Sequence, residues 1–190
     1  AAHLIPPRAF QSEEEFPRFI NIASKMGLDT FSLGGGAIGD DFDNDGNLDL
    51  MVSTWDASGQ IRFHRNNGDG TFTDVIADVM PHTSWFSMGS DVGDINNDGL
   101  LDLYVGGYEI WTKTVHPDAI YINQGGGKFV KHWQSKDGNY SARGVTAGDL
   151  NEDGFVDVYV SNYRRQNNLL WLNNGQGVFT NGAAAHGALG

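Results

Sequence analysis

The sequence predicts an all-β chain of β-propeller blades, each of four antiparallel strands, and three observations carry that expectation. A two-part pattern recurs three times within 190 residues. Each recurrence brings short β-branched and aromatic runs bounded by Gly, Asn and Asp, the composition of strands and their turns. The period, 53 residues from Asp41 to Asp94 and 55 from Asp94 to Asp149, is close to the repeat length of a four-stranded blade.

The elements follow in order along the chain. Residues 1–16 read as an N-terminal extension. PRFINIASKMG at 17–27 matches the later GTFTDVIADVM, so an outer strand is expected there, as though the last strand of another blade came first. Three units follow, at about 30–80, 83–136 and 139–182. Each opens with a Gly-rich segment expected as the innermost strand, GGGAIGD, SMGSDVGD or ARGVTAGD, in which Gly36, Gly89 and Gly144 correspond. An acidic loop leads to LDLMV, LDLYV or VDVYV, apolar runs that read as strands buried on both faces. Next come QIRFHR, AIYINQ and LLWLNN, then Gly-rich turns after Asn66, Asn123 and Asn173 that close a hairpin onto a strand holding Phe72, Phe129 or Phe179. Residues 183–190, AAAHGALG, read as the start of a following segment, with a further inner strand expected there.

The acidic loops carry the chemistry. In the first, Asp41, Asp43 and Asp45 stand at positions 1, 3 and 5, Gly46 at 6 and Asp49 at 9; Asn47 offers a carbonyl at 7. The second presents Asp94, Asn96, Asp98, Gly99, Leu100 and Asp102 at the same places, the third Asp149, Asn151, Asp153, Gly154, Phe155 and Asp157. Alternating hard oxygen donors around a tight Gly turn suit Ca²⁺, which takes six to eight oxygens, better than Mg²⁺, which keeps its waters. A bound dication also reverses the repulsion of crowded carboxylates. About three Ca²⁺ ions are expected, one per loop. An EF-hand is excluded because its position 12 Glu is replaced by Val52, Val105 and Val160 inside expected strands.

Composition narrows the function classes. A net charge of −12 argues against nucleic acid, whose phosphates call for clustered Lys and Arg. The absence of cysteine removes disulfides and thiolate chemistry. No apolar run approaches the ~20 residues of a membrane span, so no membrane insertion is expected. GGGAIG at 34–39 fits a dinucleotide fingerprint only in letters, since it runs into an acidic loop rather than a helix. The six histidines, at 3, 64, 82, 116, 132 and 186, show no zinc spacing, and there is no G-x-S-x-G elbow or P-loop. Acidic pairs such as Asp40 and Asp41 could imitate a glycosidase dyad, but carboxylates committed to a cation are poor acids.

The D-x-[DN]-x-D-G-x-x-D loop, the apolar strand after it and the N-x-G-x-G-x-F element together resemble the FG-GAP/VCBS repeats of integrin α-subunit propellers, cartilage acidic protein and bacterial surface proteins. The likeness extends over about residues 19–182. It implies propeller blades whose first strand-to-strand loops bind calcium through the residues named above, in an extracellular, secreted or cell-surface protein. Propellers of this kind hold six to eight blades, so three units imply a part of a larger propeller or an assembly completed through open blade edges. The expected role is a non-catalytic module for adhesion, ligand binding or structural assembly, with a protein or carbohydrate partner; the propeller domain of a secreted polysaccharide lyase or hydrolase is the alternative. Specificity belongs in the variable segments, GGYEIWTKTVHPD with Tyr108, Trp111 and His116, and NYRRQNN with Tyr163, Arg164 and Arg165. Asn139 begins an N-glycosylation sequon.

Overall fold

The computed structural model describes residues 19–30, 35–54, 56, 59–80, 87, 89–108, 116–136 and 140–190. Asn139, Trp111 and the extension at 1–16 lie outside the described residues. Three sheets form, each a simple antiparallel meander of four strands in chain order. Blade one comprises β1 (Ala37–Asp40), β2 (Asp49–Val52), β3 (Arg62–Asn66) and β4 (Phe72–Asp74), followed by a single helical turn, α1 (Ile76–Val79). Blade two holds β5 (Gly89–Gly93), β6 (Asp102–Gly106), β7 (Ala119–Asn123) and β8 (Phe129–Gln134). Blade three holds β9 (Ala142–Gly148), β10 (Asp157–Asn162), β11 (Leu169–Asn173) and β12 (Phe179–Asn181). The innermost strands stand side by side, β1 next to β5 and β5 next to β9. No sheet closes on itself, and the architecture is that of propeller blades.

Register places the loops identically in all three blades. Asp40 pairs with Asp49, Gly93 with Asp102 and Gly148 with Asp157, so position 9 of each acidic loop opens the second strand opposite the residue preceding position 1. The hairpin turns between third and fourth strands lie at the same end, because both connections leave the sheet in the same direction.

Two apolar cores form between blades rather than within them. The first joins Phe42, Met51 and Phe63 of blade one to Leu103, Val105, Tyr121 and Phe129 of blade two. Phe42, Phe63 and Phe129 meet edge to face, with ring centroids 5.6–6.3 Å apart. The second joins Ile95, Tyr104, Ile120 and Ile122 to Val158, Val160, Trp171 and Phe179. The alternation of strand side chains explains the split, since Leu103 and Val105 face one way and Tyr104 the other.

Burial on both faces, expected for all three second strands, is complete only in β6, where every residue is buried. In β2 only Asp49 and Met51 are buried, and in β10 Tyr159 is partly exposed. An apolar strand is covered on both faces only where a blade packs on each side, and among the described residues only blade two has two neighbouring blades.

The two terminal expectations also change. From Phe19 onward, the segment expected as an outer strand pairs with no described strand, and Ala23–Met26 form a 3-10 turn. This turn copies α1: the Ala23 amide donates to Asn21 Oδ1 and the Ile76 amide to Asp74 Oδ1. Ile22 and Val75 share nearly the same backbone angles, φ −115° and −114°. The likeness of PRFINIASKMG to GTFTDVIADVM therefore lies in the turn that ends an outer strand, while a strand itself needs a hydrogen-bonded neighbour. At 183–187, where an inner strand was expected, the chain turns in the same way, with the Ala183 amide donating to Asn181 Oδ1.

Candidate metal centre

Each acidic loop is organised by the aspartate at position 1. Asp41 accepts from the amides of Asp45 and Gly46 at 3.0 and 2.9 Å. Asp94 does the same for Asp98 and Gly99, and Asp149 for Asp153 and Gly154. One carboxylate thus clamps the turn, which passes through φ +90°, +86° and +87° at Gly46, Gly99 and Gly154, a region open to glycine. The position 5 aspartates, Asp45, Asp98 and Asp153, accept from the amides of the position 7 residues Asn47, Leu100 and Phe155.

The position 9 aspartate ties the loop to the second half of the motif. Asp49 is fully buried and accepts from the amides of Phe42 and Asn66. Asp102 accepts from Ile95 and Asn123, and Asp157 from Leu150 and Asn173. Burial raises the pKa of all three carboxyls against the lowering effect of the amide donors, and that of Asp102 reaches about 6. The aspartates at positions 3, 5 or 1 add to the rise by like-charge repulsion.

The Asn of the N-x-G-x-G element has a role that the sequence reading did not assign. Asn123 Nδ2 donates to the Leu101 carbonyl of its own blade and, at 2.9 Å, to the Phe42 carbonyl of blade one. Asn173 repeats this toward Val156 and, at 2.9 Å, the Ile95 carbonyl of blade two. Each therefore bolts its blade to the acidic loop of the one before. Phe129 and Phe179, in the same element, fill the interblade cores. The in-register recurrence of Asn and Phe was the available signal; their partners lie about 80 residues away, beyond the reach of local pattern reading.

The three loops differ at position 3, and the difference bears on metal binding. Asn96 and Asn151 use their amides to bridge to Asp98 and Asp153, and their Oδ1 atoms accept the amides of those same residues. Asp43 cannot donate. Its Oδ1 is buried without a hydrogen-bond partner, and its Oδ2 lies 3.0 Å from Arg65 Nε. Carboxylate oxygens of Asp41, Asp43 and Asp49 all lie within 4.8 Å of one another. A buried carboxylate oxygen with no donor, beside two more carboxylates, is the surrounding that a hard dication satisfies, so the donor set of the first loop fits Ca²⁺.

Two other features stand at the junction of blades two and three. A cavity of about 280 Å³ is lined by Ile95, Asn96, Gln124, His132 and Gln176 among others. At the opposite end of β7, the buried Asp118 carboxylate accepts from Tyr104 Oη at 2.6 Å, the Gly107 amide at 2.7 Å and, across the blades, Trp171 Nε1 at 3.4 Å.

Comparison with known proteins agrees with this architecture. Mouse integrin alpha-7 is 36% identical over 90 residues and human integrin alpha-7 34% identical, each alignment covering 41% of this chain. The chain spans only 7% of the length of those relatives. Among solved structures, an Agrocybe aegerita lectin, described as recognising non-reducing terminal N-acetylglucosamine, superposes with a TM-score of 0.52 over 84% of this chain and 40% of the lectin chain. Its sequence identity is 21%, so the likeness is one of fold. The FG-GAP-like repeat family matches residues 41–105 and 110–160, more than half of the chain and all three acidic loops. On strand order, loop chemistry and family match together, the chain belongs to the FG-GAP-like repeat family.

Proposed function

We propose that the chain is a calcium-stabilised, non-catalytic module of an extracellular protein, serving adhesion, ligand binding or structural assembly. The observation that carries the metal part is the unpartnered, buried Asp43 Oδ1 beside Asp41 and Asp49. In the first loop Asp41, Asp43, Asp45, Asp49 and the Asn47 carbonyl would hold the ion. Asp94, Asn96, Asp98, Leu100 and Asp102 would do so in the second, and Asp149, Asn151, Asp153, Phe155 and Asp157 in the third. A bound ion would supply positive charge beside the buried position 9 carboxylates. The protein's own residues shape the turn and link it to the neighbouring blade. An extracellular setting and a protein partner are supported by the integrin relationship, with a carbohydrate as the other partner class proposed; no helix among the described residues is long and apolar enough to cross a membrane.

Thermal melting in EDTA against 2 mM CaCl₂ tests the reading. With dissociation constants of ~10⁻⁴ to 10⁻³ M, typical of extracellular modules, each occupied site adds about 0.6–1.8 kcal/mol. That corresponds to a rise of roughly 1–7 °C per site for a domain of this size. Coincident melting curves with and without calcium would remove the metal from the proposal.

A further inference from the structure

A cationic, aromatic cluster lies at the end of blades two and three opposite the acidic loops. It draws on the loop after β6, the start of β9 and the loop after β10. Arg143, exposed on innermost strand β9, sets its guanidinium carbon 4.5 Å from the ring centroid of Tyr163 and 5.7 Å from that of Tyr108. Tyr108 is buried and Tyr163 half exposed. Among the described residues no carboxylate forms an ion pair with Arg143; the ion pairs there are Arg62 with Asp74 and Arg65 with Asp43.

The loop that presents Tyr163 is tightly fastened. Its amide donates to the Ser141 carbonyl at 2.9 Å, and Gln166 Oε1 accepts the Ser141 amide at 2.7 Å. Between these anchors Arg164 and Arg165 both adopt left-handed backbone, φ 61° and 58°. For non-glycine residues this conformation is uncommon and costly, and it persists where anchors over-determine it, most often at sites that bind. Both arginines are exposed. In a chain of net charge −12 with 12 basic residues, three arginines thus stand at the start of β9 and in the loop fastened to it.

Stacking engages the faces of a guanidinium and leaves its in-plane N–H fork for an acceptor, and that fork matches a carboxylate bidentately. Ring contact also removes rotamer freedom from Arg143 before any ligand arrives, lowering the entropy cost of binding. The exposed half of Tyr163 provides an apolar, flat surface beside the charge. A planar anion next to a flat apolar ring is the signature of a uronic acid residue, whose carboxylate would meet the fork while its pyranose C–H face lies on tyrosine. We propose that Tyr108, Arg143, Tyr163, Arg164 and Arg165 form a binding site for a carboxylated saccharide. The assignment deepens the ligand-binding role proposed above by naming the ligand class, but it is independent of the metal sites.

The test is calorimetric titration of the full chain, in calcium, with a hexasaccharide of alternating glucuronate and N-acetylhexosamine. A neutral hexasaccharide and a hexaglutamate peptide serve as comparison probes. Binding of the acidic sugar alone is expected, weakening as salt is raised. Arg143→Ala should reduce affinity about tenfold or more, and Arg143→Lys nearly as much, because lysine keeps the charge without the fork. Circular dichroism and the calcium-dependent melting shift should be unchanged in both variants, since Arg143 is exposed. Absence of acidic-sugar binding, equal binding of the neutral sugar, or full affinity in Arg143→Ala would each overturn the site. Preference for hexaglutamate would overturn the saccharide assignment. An intact calcium shift in any of these cases leaves the module reading standing, so the two failures are separable.

Discussion

The interblade asparagines offer an internal comparison, because one side chain occurs three times with different partners. In Asn123→Ala three side-chain hydrogen bonds disappear: to the Phe42 carbonyl at 2.9 Å, to the Leu101 carbonyl at 3.2 Å and from the Gly125 amide at 3.0 Å. Asn173→Ala loses the equivalent three, to Ile95, to Val156 and from Gly175. Asn66→Ala loses two, to the Leu48 carbonyl and from the Gly68 amide, both within its own blade. Asn123 and Asn173 are buried, whereas Asn66 is partly open to water that can replace its bonds. At about 0.5–1.5 kcal/mol per net hydrogen bond, with more where a buried group loses its partner, the first two variants should cost about 3 kcal/mol and the third about 1. Since ~1 kcal/mol shifts melting by about 2–4 °C at this size, the expected drops are roughly 6–12 °C against 2–4 °C. Urea melts in calcium, with unchanged m-values, provide the same ordering at equilibrium. If Asn66→Ala destabilised as much as Asn123→Ala, the interblade bond would not be what makes this asparagine valuable.

Three further outcomes are expected. Asp43→Asn gives the first loop the position 3 residue of the other two, so its calcium affinity should fall several-fold while sites two and three are unaltered; isothermal titration resolves this, and unchanged affinity would show that the extra carboxylate is not a ligand. In EDTA, burial holds the folded-state pKa of Asp102 at about 6, above the unfolded value, so the folded chain binds more protons between roughly pH 4 and 6 and its contribution to stability falls as pH rises through that window; burial raises that of Asp118 in the same direction. Calcium needs the ionised carboxylates, so its stabilising increment should run the other way, larger at pH 7 than at pH 5; melting at both values, with and without metal, is decisive, and an increment that grows on acidification refutes the linkage. Gly127 sits at φ +68°, and a Cβ there would meet Phe63 Cε1 at 2.9 Å, so Gly127→Ala should lower melting by several degrees; a neutral result would mean that the turn of blade two does not press on blade one as described.

Repetition made much of this protein legible in its sequence. The threefold D-x-[DN]-x-D-G-x-x-D loop determined where each second strand begins, because the Gly at position 6 and the aspartates around it permit few backbone paths, and short apolar β-branched and aromatic runs determined the strands that follow. The candidate oxygen donors of each loop could likewise be named residue by residue, since loop geometry is local. What depended on neighbours was decided by the tertiary structure. The sequence of LDLMV reads like that of LDLYV, yet only the latter is buried on both faces, because burial depends on which blades flank a strand. Phe19 to Asn21 repeat the letters of an outer strand but pair with none of the described strands. Asn123 and Phe42 are 81 positions apart, and Arg143 meets Tyr108 and Tyr163 only when β9 lies between two loops. Contacts of that kind are set by the stacking of blades, which no window of the sequence contains.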